Sequence, residues 1–268
     1  MKSAAEKLID LKNILRCYEG ALIAFSGGVD STFLAWVAQG VLPGRVMAVT
    51  ASSEIYPQHE ITAAGRLAQE IGLSHMIIYT EELANMKFTE NPAERCYFCK
   101  KELFVRLLQI SKKHSLPQLL DGTNYDDCLD HRPGTQAAKE LGIKSPLVEA
   151  KLTKENIREL SREMGIPTWD KPALPCLATR FPYGEQITRE KLAMVKEAEE
   201  YLGALGLGTL RVRHHGNLAR IETDPNSFQI IMGAADEVAK KLRQIGYSYV
   251  TLDLQGFRSG SLNEVLDS

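Results

Sequence analysis

The sequence predicts an α/β fold: a parallel sheet flanked by helices, with a smaller C-terminal α+β lobe. Three observations predict it. Short apolar runs of strand length alternate with helix-length segments as far as Asp121. The first such run ends in Ser26-Gly27-Gly28 directly ahead of a helical segment. Beyond residue 170 the pattern changes to strict alternation of apolar and charged residues, as in Leu210-Arg211-Val212-Arg213.

Taken in order, residues 4–18 have the spacing of an amphipathic helix, and Ala21–Phe25 reads as a buried strand. A helix is expected over Asp30–Gln39, a strand over Val46–Ala51, a helix over His59–Ile71 and a strand over His75–Tyr79. A helix over Lys100–His114 and a strand over Gln118–Asp121 complete the alternation. In such sheets ligands bind at the carboxyl ends of strands, where Ser26-Gly27-Gly28 and Asp121-Gly122-Thr123-Asn124 both fall. The prolines of Lys171-Pro172-Ala173-Leu174-Pro175-Cys176 exclude a continuing helix, so domains are expected over 1–170 and 171–268. In the second, a helix over Thr188–Leu202 precedes strands at Leu210–Arg213 and Leu218–Glu222, a helix at Ala235–Ile245 and a strand at Tyr249–Leu254.

Composition bounds the function. With 268 residues, 44% of them hydrophobic, the chain can bury a core. Its 32 basic and 34 acidic residues give a formal charge of −2, so no global field recruits nucleic acid. The longest charge-free stretch, Ser31–Gly44, is too short and too broken by Gly40 and Pro43 to span a bilayer. The first residues alternate charges with Leu and Ile where a signal peptide needs an apolar run, so the expected location is cytoplasmic. In such a reducing compartment, five cysteines point to metal ligation or catalysis more than to disulfides.

Ser26-Gly27-Gly28-Val29-Asp30-Ser31-Thr32 sits between strand and helix, where backbone N–H groups and the helix dipole attract an anion. Its glycines permit close approach, and Ser26, Ser31 and Thr32 offer hydroxyls. Asp30 can hold Mg²⁺ or cap the helix. The string resembles the signature of the PP-loop ATP pyrophosphatases, the group of GMP, NAD and asparagine synthetases and tRNA thiolases. That resemblance implies ATP cleavage between the α and β phosphates, with AMP transferred to a carbonyl or carboxylate. Asp121-Gly122-Thr123-Asn124-Tyr125-Asp126-Asp127 is similar to a second element of the group, with carboxylates suited either to metal or to turn capping.

Cys96-Tyr97-Phe98-Cys99, flanked by Arg95, Lys100 and Lys101, is a C-x-x-C in an electropositive setting. Alone it fits a redox pair, half a zinc site or two iron–sulfur ligands, and no second C-x-x-C completes a zinc set. Cys176 offers a third thiolate, and three thiolates on a four-iron cluster leave one iron open to exogenous sulfide. Cys17 and Cys128 carry no assigned role.

Two further strings narrow the resemblance: Cys176-Leu177-Ala178-Thr179-Arg180-Phe181-Pro182-Tyr183-Gly184, and Val250-Thr251-Leu252-Asp253-Leu254-Gln255-Gly256-Phe257-Arg258-Ser259-Gly260. With the PP-loop they resemble the LarE sulfurtransferase family across essentially the whole chain. That family converts the carboxylates of pyridinium-3,5-biscarboxylic acid mononucleotide to thiocarboxylates for a nickel-pincer cofactor. One branch sacrifices the sulfur of the cysteine matching Cys176. Possession of Cys96 and Cys99 departs from that branch and favours the one that holds a 4Fe-4S cluster on Cys96, Cys99 and Cys176.

The resemblance implies ATP, Mg²⁺ and that cluster as cofactors, Asp30 and Cys176 as catalytic residues, and the residues from Ser26 to Thr32 as the nucleotide loop; Arg180, a cation near the crevice, is a further catalytic candidate that could offset developing negative charge. It further implies Glu199, Arg211, Arg213, Glu222 and Arg258 as substrate or metal contacts. Arg211 and Arg213, two apart on a strand, share a face, and guanidinium forks match carboxylate and phosphate oxygens. Arg220 could extend the group. A solvated strand face laced with ion pairs gives the same pattern. The expected partner is a small mononucleotide, without nucleic acid or membrane, and the expected assembly is a homo-oligomer. Rival readings are a tRNA thiolase, an amide-forming synthetase and a non-catalytic iron–sulfur sensor.

Overall fold

The run Ala21–Ala24 has no polar face, so it needs cover on both sides, and it forms an interior strand of a parallel sheet. The computed structural model describes residues 2–128, 133–173, 175–258 and 260–264, which leaves Leu174 and Ser259 of the motif strings outside the described residues. The chain divides into two units, Met1–Glu81 with Glu94–Leu174, and Glu82–Ala93 with Pro175–Ser268.

The first unit opens with α1 (Ala4–Arg16), started by a reciprocal capping box between Ser3 and Glu6. It continues through β1 (Ala21–Ala24), α2 (Val29–Val41), β2 (Val46–Ser52), α3 (Gln58–Ile71) and β3 (Ser74–Tyr79). The chain then leaves for an excursion containing α4 (Met86–Thr89) and returns as α5 (Arg95–Lys113) and β4 (Gln118–Leu120). Then follow α6 (Pro133–Glu140), α7 (Pro146–Glu149) and α8 (Lys154–Glu163). Among the described residues the sheet order is β3-β2-β1-β4, all parallel, with Ala21 opposite Val46 on one side and Gln118 on the other.

Alternation along β1 assigns its side chains to two cores. Ala21 and Ile23 join Leu11, Leu15, Phe33, Leu67 and Leu160 from α1, α2, α3 and α8. Leu22 joins Met47, Val49, Phe104, Leu107 and Ala137 on the face covered by α5 and α6. Each fully buried Leu or Phe contributes roughly 1.5–3 kcal/mol. This two-faced cover is the expected α/β architecture. The sequence reading assigns no element between Asp121 and Trp169, where α6, α7 and α8 lie. It also starts α5 at Lys100, whereas the helix begins at Arg95 and includes Cys96 and Cys99.

The second unit contains α9 (Arg189–Gly203), β5 (Leu210–His215), β6 (Leu218–Thr223), α10 (Phe228–Gly233), α11 (Ala235–Ile245) and β7 (Tyr249–Leu252). Its sheet order is β5-β6-β7, antiparallel at the first junction and parallel at the second. Leu210, Val212, Ala219 and Ile221 face a core with Ala198, Leu202, Val238 and Leu242, so the intervening Arg211, Arg213, Arg220 and Glu222 share the other face. The excursion Glu82–Ala93 belongs to this unit through backbone bonds. Ile187 N–H donates to the Thr89 carbonyl at 2.8 Å and Gly184 N–H to the Asn91 carbonyl at 2.9 Å, while the buried Asn91 amide donates to the Pro182 carbonyl at 2.6 Å. Sequence reasoning places 82–93 within a continuous 1–170 domain, since nothing in its composition announces long-range pairing. No helix among the described residues is long and apolar enough to cross a membrane.

Candidate functional site

Strand β1 ends at Ala24, and the chain turns through Phe25–Gly28 into α2, whose N-cap is Gly28. Gly27 has φ +67°, and a Cβ there would sit 3.0 Å from the Cβ of Ala64 in α3, so glycine is required twice over. Close by, a Cβ on Gly122 would lie 3.0 Å from the amide nitrogen of Ser31, so any side chain there would push the turn after β4 back from the loop. The Ser31 hydroxyl ties the loop together, donating to the Gly28 carbonyl and accepting from Ser26 N–H and from the Ser26 hydroxyl at 3.1 Å.

These turns border a cavity of about 330 Å³ within the first unit. Its walls include Ser26, Gly28, Asp30 and Ser31 from the loop, and Asp121, Gly122, Thr123 and Asp127 from the second strand end. The two strand ends therefore meet at one crevice, as the sequence implied. Apolar walls come from Val49, Ile61, Leu103 and Phe104. Beneath them the Thr50 hydroxyl donates to the Phe25 carbonyl and lies 2.8 Å from His75 Nε2. Burial pushes the His75 pKa down, and because the Thr50 proton goes to Phe25, the Nε2–H of His75 is the donor to Thr50.

Asp30 does not cap α2. One of its carboxylate oxygens takes the Lys154 ammonium, and the other is buried with no hydrogen-bond partner. A buried oxygen of an acid on an anion cavity is suited to a cation, so Asp30 fits Mg²⁺. Thr32, expected to face the phosphates, is fully buried and does not line the cavity, since the first turn of α2 carries it into the core. Gly27 likewise acts behind the cavity wall rather than in it. The reading also missed two lysines. Lys154 holds Asp30, and Lys171 donates to the Gly27 carbonyl at 3.0 Å and to Glu60 at 2.7 Å. Both act across more than a hundred residues of chain, and no local signal marks them.

Cys96 and Cys99 lie in the first turn of α5, Cys96 exposed and Cys99 half-buried on the cavity wall beside Lys100. Two thiols three residues apart on one helical turn suit two ligands of an iron–sulfur cluster. The three expected cations are not equivalent. Lys101 is committed to Tyr97 and Glu140, Arg95 is buried, and Lys100 lines the cavity. Among the described residues no group of three or more His, Cys, Asp or Glu is placed to hold a metal ion. Cys176, half-buried, belongs to the second unit, and Cys17 and Cys128 are exposed.

In the second unit Arg180 is buried and pairs through two nitrogens with Glu199, at 2.8 and 3.0 Å. Its remaining terminal nitrogen donates to the carbonyls of Pro175 and Cys176 and to Thr179 Oγ1. That guanidinium holds the Cys176 loop in place, with each of its nitrogens engaged by a protein acceptor. Arg213 is equally engaged, with Glu222, the Thr179 carbonyl and Ser261. Glu222, fully buried, also takes Arg220 at 2.9 Å, and Glu199 accepts Val212 N–H. Arg211 stacks 5.3 Å from the Phe257 ring centroid, and burial beside Arg180 and Arg213 draws its pKa down to about 10. Arg258 lies at the margin, paired with Glu264 at 2.9 Å. Arg211, Arg213 and Glu222 are thus buried, with the half-buried Glu199 beside them, so this strand face is not a solvated one.

Known proteins resemble this chain along most of its length. Residues 8–110 match the NAD synthase family model. An uncharacterized protein of Synechocystis sp. is 47% identical over 97% of this chain and 98% of its own. The pyridinium-3,5-bisthiocarboxylic acid mononucleotide synthase of Lactiplantibacillus plantarum is 38% identical over 99% of this chain and 97% of its own. The glutamine-hydrolyzing GMP synthase of Aeropyrum pernix is 29% identical over 70% of this chain, which covers 41% of that protein. The first two likenesses therefore take in both units.

Proposed function

The chain belongs to the LarE family of PP-loop enzymes, and from that membership we propose that it is an AMP-forming sulfurtransferase acting on pyridinium-3,5-biscarboxylic acid mononucleotide. The observation that carries the proposal is one cavity wall on which the anion loop, the open carboxylate oxygen of Asp30 and the C-x-x-C residue Cys99 occur together. An amide-forming synthetase has no use for a cysteine there.

ATP phosphates lie against Ser26, Gly28 and Ser31 in this reading, with the base among Val49, Ile61 and Phe104. Asp30 would hold Mg²⁺, which neutralises phosphate charge when bound. A substrate carboxylate oxygen attacks the α-phosphorus, the bond to the bridging oxygen breaks, and pyrophosphate leaves. A sulfur nucleophile then attacks the acyl carbon, the bond to AMP breaks, and a thiocarboxylate remains. Cys96, Cys99 and Cys176 would hold a 4Fe-4S cluster, which when bound supplies an iron to carry transferable sulfide. Arg180 keeps the Cys176 backbone fixed against Glu199, and Arg211 offers a guanidinium face beside it for the mononucleotide's carboxylate or phosphate.

The test is anaerobic reconstitution with iron and sulfide, followed by turnover with ATP, substrate and added sulfide. Product should pass one equivalent per chain and fall to background in Cys96→Ser and Cys99→Ser. Undiminished turnover in those variants overturns the cluster. A mass loss of about 34 Da at Cys176, as removal of H₂S to dehydroalanine requires, replaces it with sacrificial transfer.

A further inference from the structure

A trans peptide points its carbonyl and its N–H in opposite directions, so fixing one fixes the other. The peptide between Gly27 and Gly28 has glycine on both sides, which makes it the part of the anion loop most able to flip. Flipped, it would present a carbonyl oxygen to the phosphates. In the structure its carbonyl accepts from Lys171 Nζ at 3.0 Å, and its N–H donates to Ser26 Oγ at 3.3 Å on the cavity side.

The same ammonium meets Glu60 at 2.7 Å. Glu60 lines the cavity one helical turn before Ala64, the residue packed against Gly27. An uncompensated carboxylate there would repel a triphosphate. Both side chains keep only about a fifth of their surface exposed, 21% for Lys171 and 20% for Glu60, so the pair is screened less than a surface pair. The segment that carries Lys171 is itself anchored, since Arg158 donates to the carbonyls of Trp169 and Lys171 at 2.6 and 2.9 Å.

We propose that Lys171 is the positioning residue of the nucleotide loop: it holds the Gly27–Gly28 peptide in its anion-accepting orientation and cancels the charge of Glu60 on the cavity wall. The inference rests on the adenylating reading of this cavity. It is tested without sulfur transfer, by titration calorimetry of the full chain with α,β-methylene-ATP and Mg²⁺, no mononucleotide being present. Lys171→Met should weaken binding about ten- to a hundredfold, the loss of one charge-assisted hydrogen bond, while Lys171→Arg should recover most of it. Glu60→Gln alone should bind as the parent does or more tightly. The double variant Glu60→Gln with Lys171→Met should remain weaker than Glu60→Gln, because the carbonyl is still unheld.

Lys171→Met binding within twofold of the parent overturns the inference, as does a tenfold loss in Glu60→Gln. A parent that binds the analogue alongside an unaffected Lys171→Met leaves the adenylating reading standing. A parent that binds no analogue overturns that reading and the inference together.

Discussion

The two units carry their charges in different ways. In the first, the anion loop on the cavity is built from glycine backbone, two serines and a carboxylate with one oxygen left open, while Lys154 and Lys171 serve the loop itself. In the second, Arg180 and Arg213 direct their donors to Glu199, Glu222 and the backbone of the Cys176 loop, while Arg220 joins Glu222 through one terminal nitrogen and leaves its Nε without a hydrogen bond. Open valences mark where a ligand can act. Closed valences mark what the fold depends on, even when the residues are ones a sequence motif would assign to substrate.

The largest effect should follow from breaking the closed network at its centre. Glu222 is fully buried and takes Arg213, Arg220 and Ser261, so Glu222→Ala strands the buried Arg213 guanidinium and also removes a partner from the part-exposed Arg220. Loss of one partner from a buried charge network costs about 3–5 kcal/mol. Urea unfolding should show that loss. A change below about 1 kcal/mol would mean that the layer relaxes into solvent and that the contrast between the units is false.

The converse substitution in the first unit should leave the fold alone. Asp30 and Lys154 keep 20% and 36% of their side chains exposed, a half-open pair of the kind worth about 0–1 kcal/mol. Asp30→Asn should therefore unfold within about 1 kcal/mol of the parent. Its open oxygen, by contrast, faces the place where phosphate charge must be offset, and substrate-dependent pyrophosphate release should fall at least a hundredfold, about 2.7 kcal/mol in the barrier. Full activity in that variant would remove Asp30 from any metal-binding role and with it the distinction between open and closed valences.

The same distinction explains what the sequence disclosed. Ser26, Gly28, Asp30 and Ser31 were legible because strand, turn and helix N-terminus are local, and local geometry alone directs them to one point. Thr32 was misread because one residue's advance along α2 is enough to turn a hydroxyl from the cavity into the core. The shared face of Arg211 and Arg213 followed from strand period. What that face meets did not, since Thr179, Glu199 and Ser261 approach from elsewhere in the chain. Lys154 and Lys171 are ordinary surface residues by composition, and only the fold brings them to the loop. Segment 82–93 was likewise opaque, as its membership in the second unit depends on pairing with residues ninety positions away.

The smallest expected effect concerns a group whose valences are neither fully closed nor open to a ligand. His214 is 1% exposed, packed 5.1 Å from the Phe181 ring and 5.5 Å from that of Tyr247, with Nδ1 3.2 Å from the Tyr247 hydroxyl. Its Nε2 has no hydrogen-bond partner, and Glu185 stands off at 3.7 Å while engaged with Lys191. Burial lowers the imidazole's pKa, opposed by Glu185 and assisted by Lys191 and His215. A base whose pKa is lower folded than unfolded takes up its proton first in the unfolded chain, so stability falls as pH drops below the ordinary histidine value near 6.5. One proton gives a slope of at most about 1.4 kcal/mol per pH unit. His214→Phe keeps the ring packing and deletes the proton site, so its stability between about pH 6.5 and 5 should decline less steeply than the parent's. Parallel declines would show that the acid sensitivity lies with other groups, and a steeper decline in His214→Phe would mean that His214 is charged and paired with Glu185 in the fold.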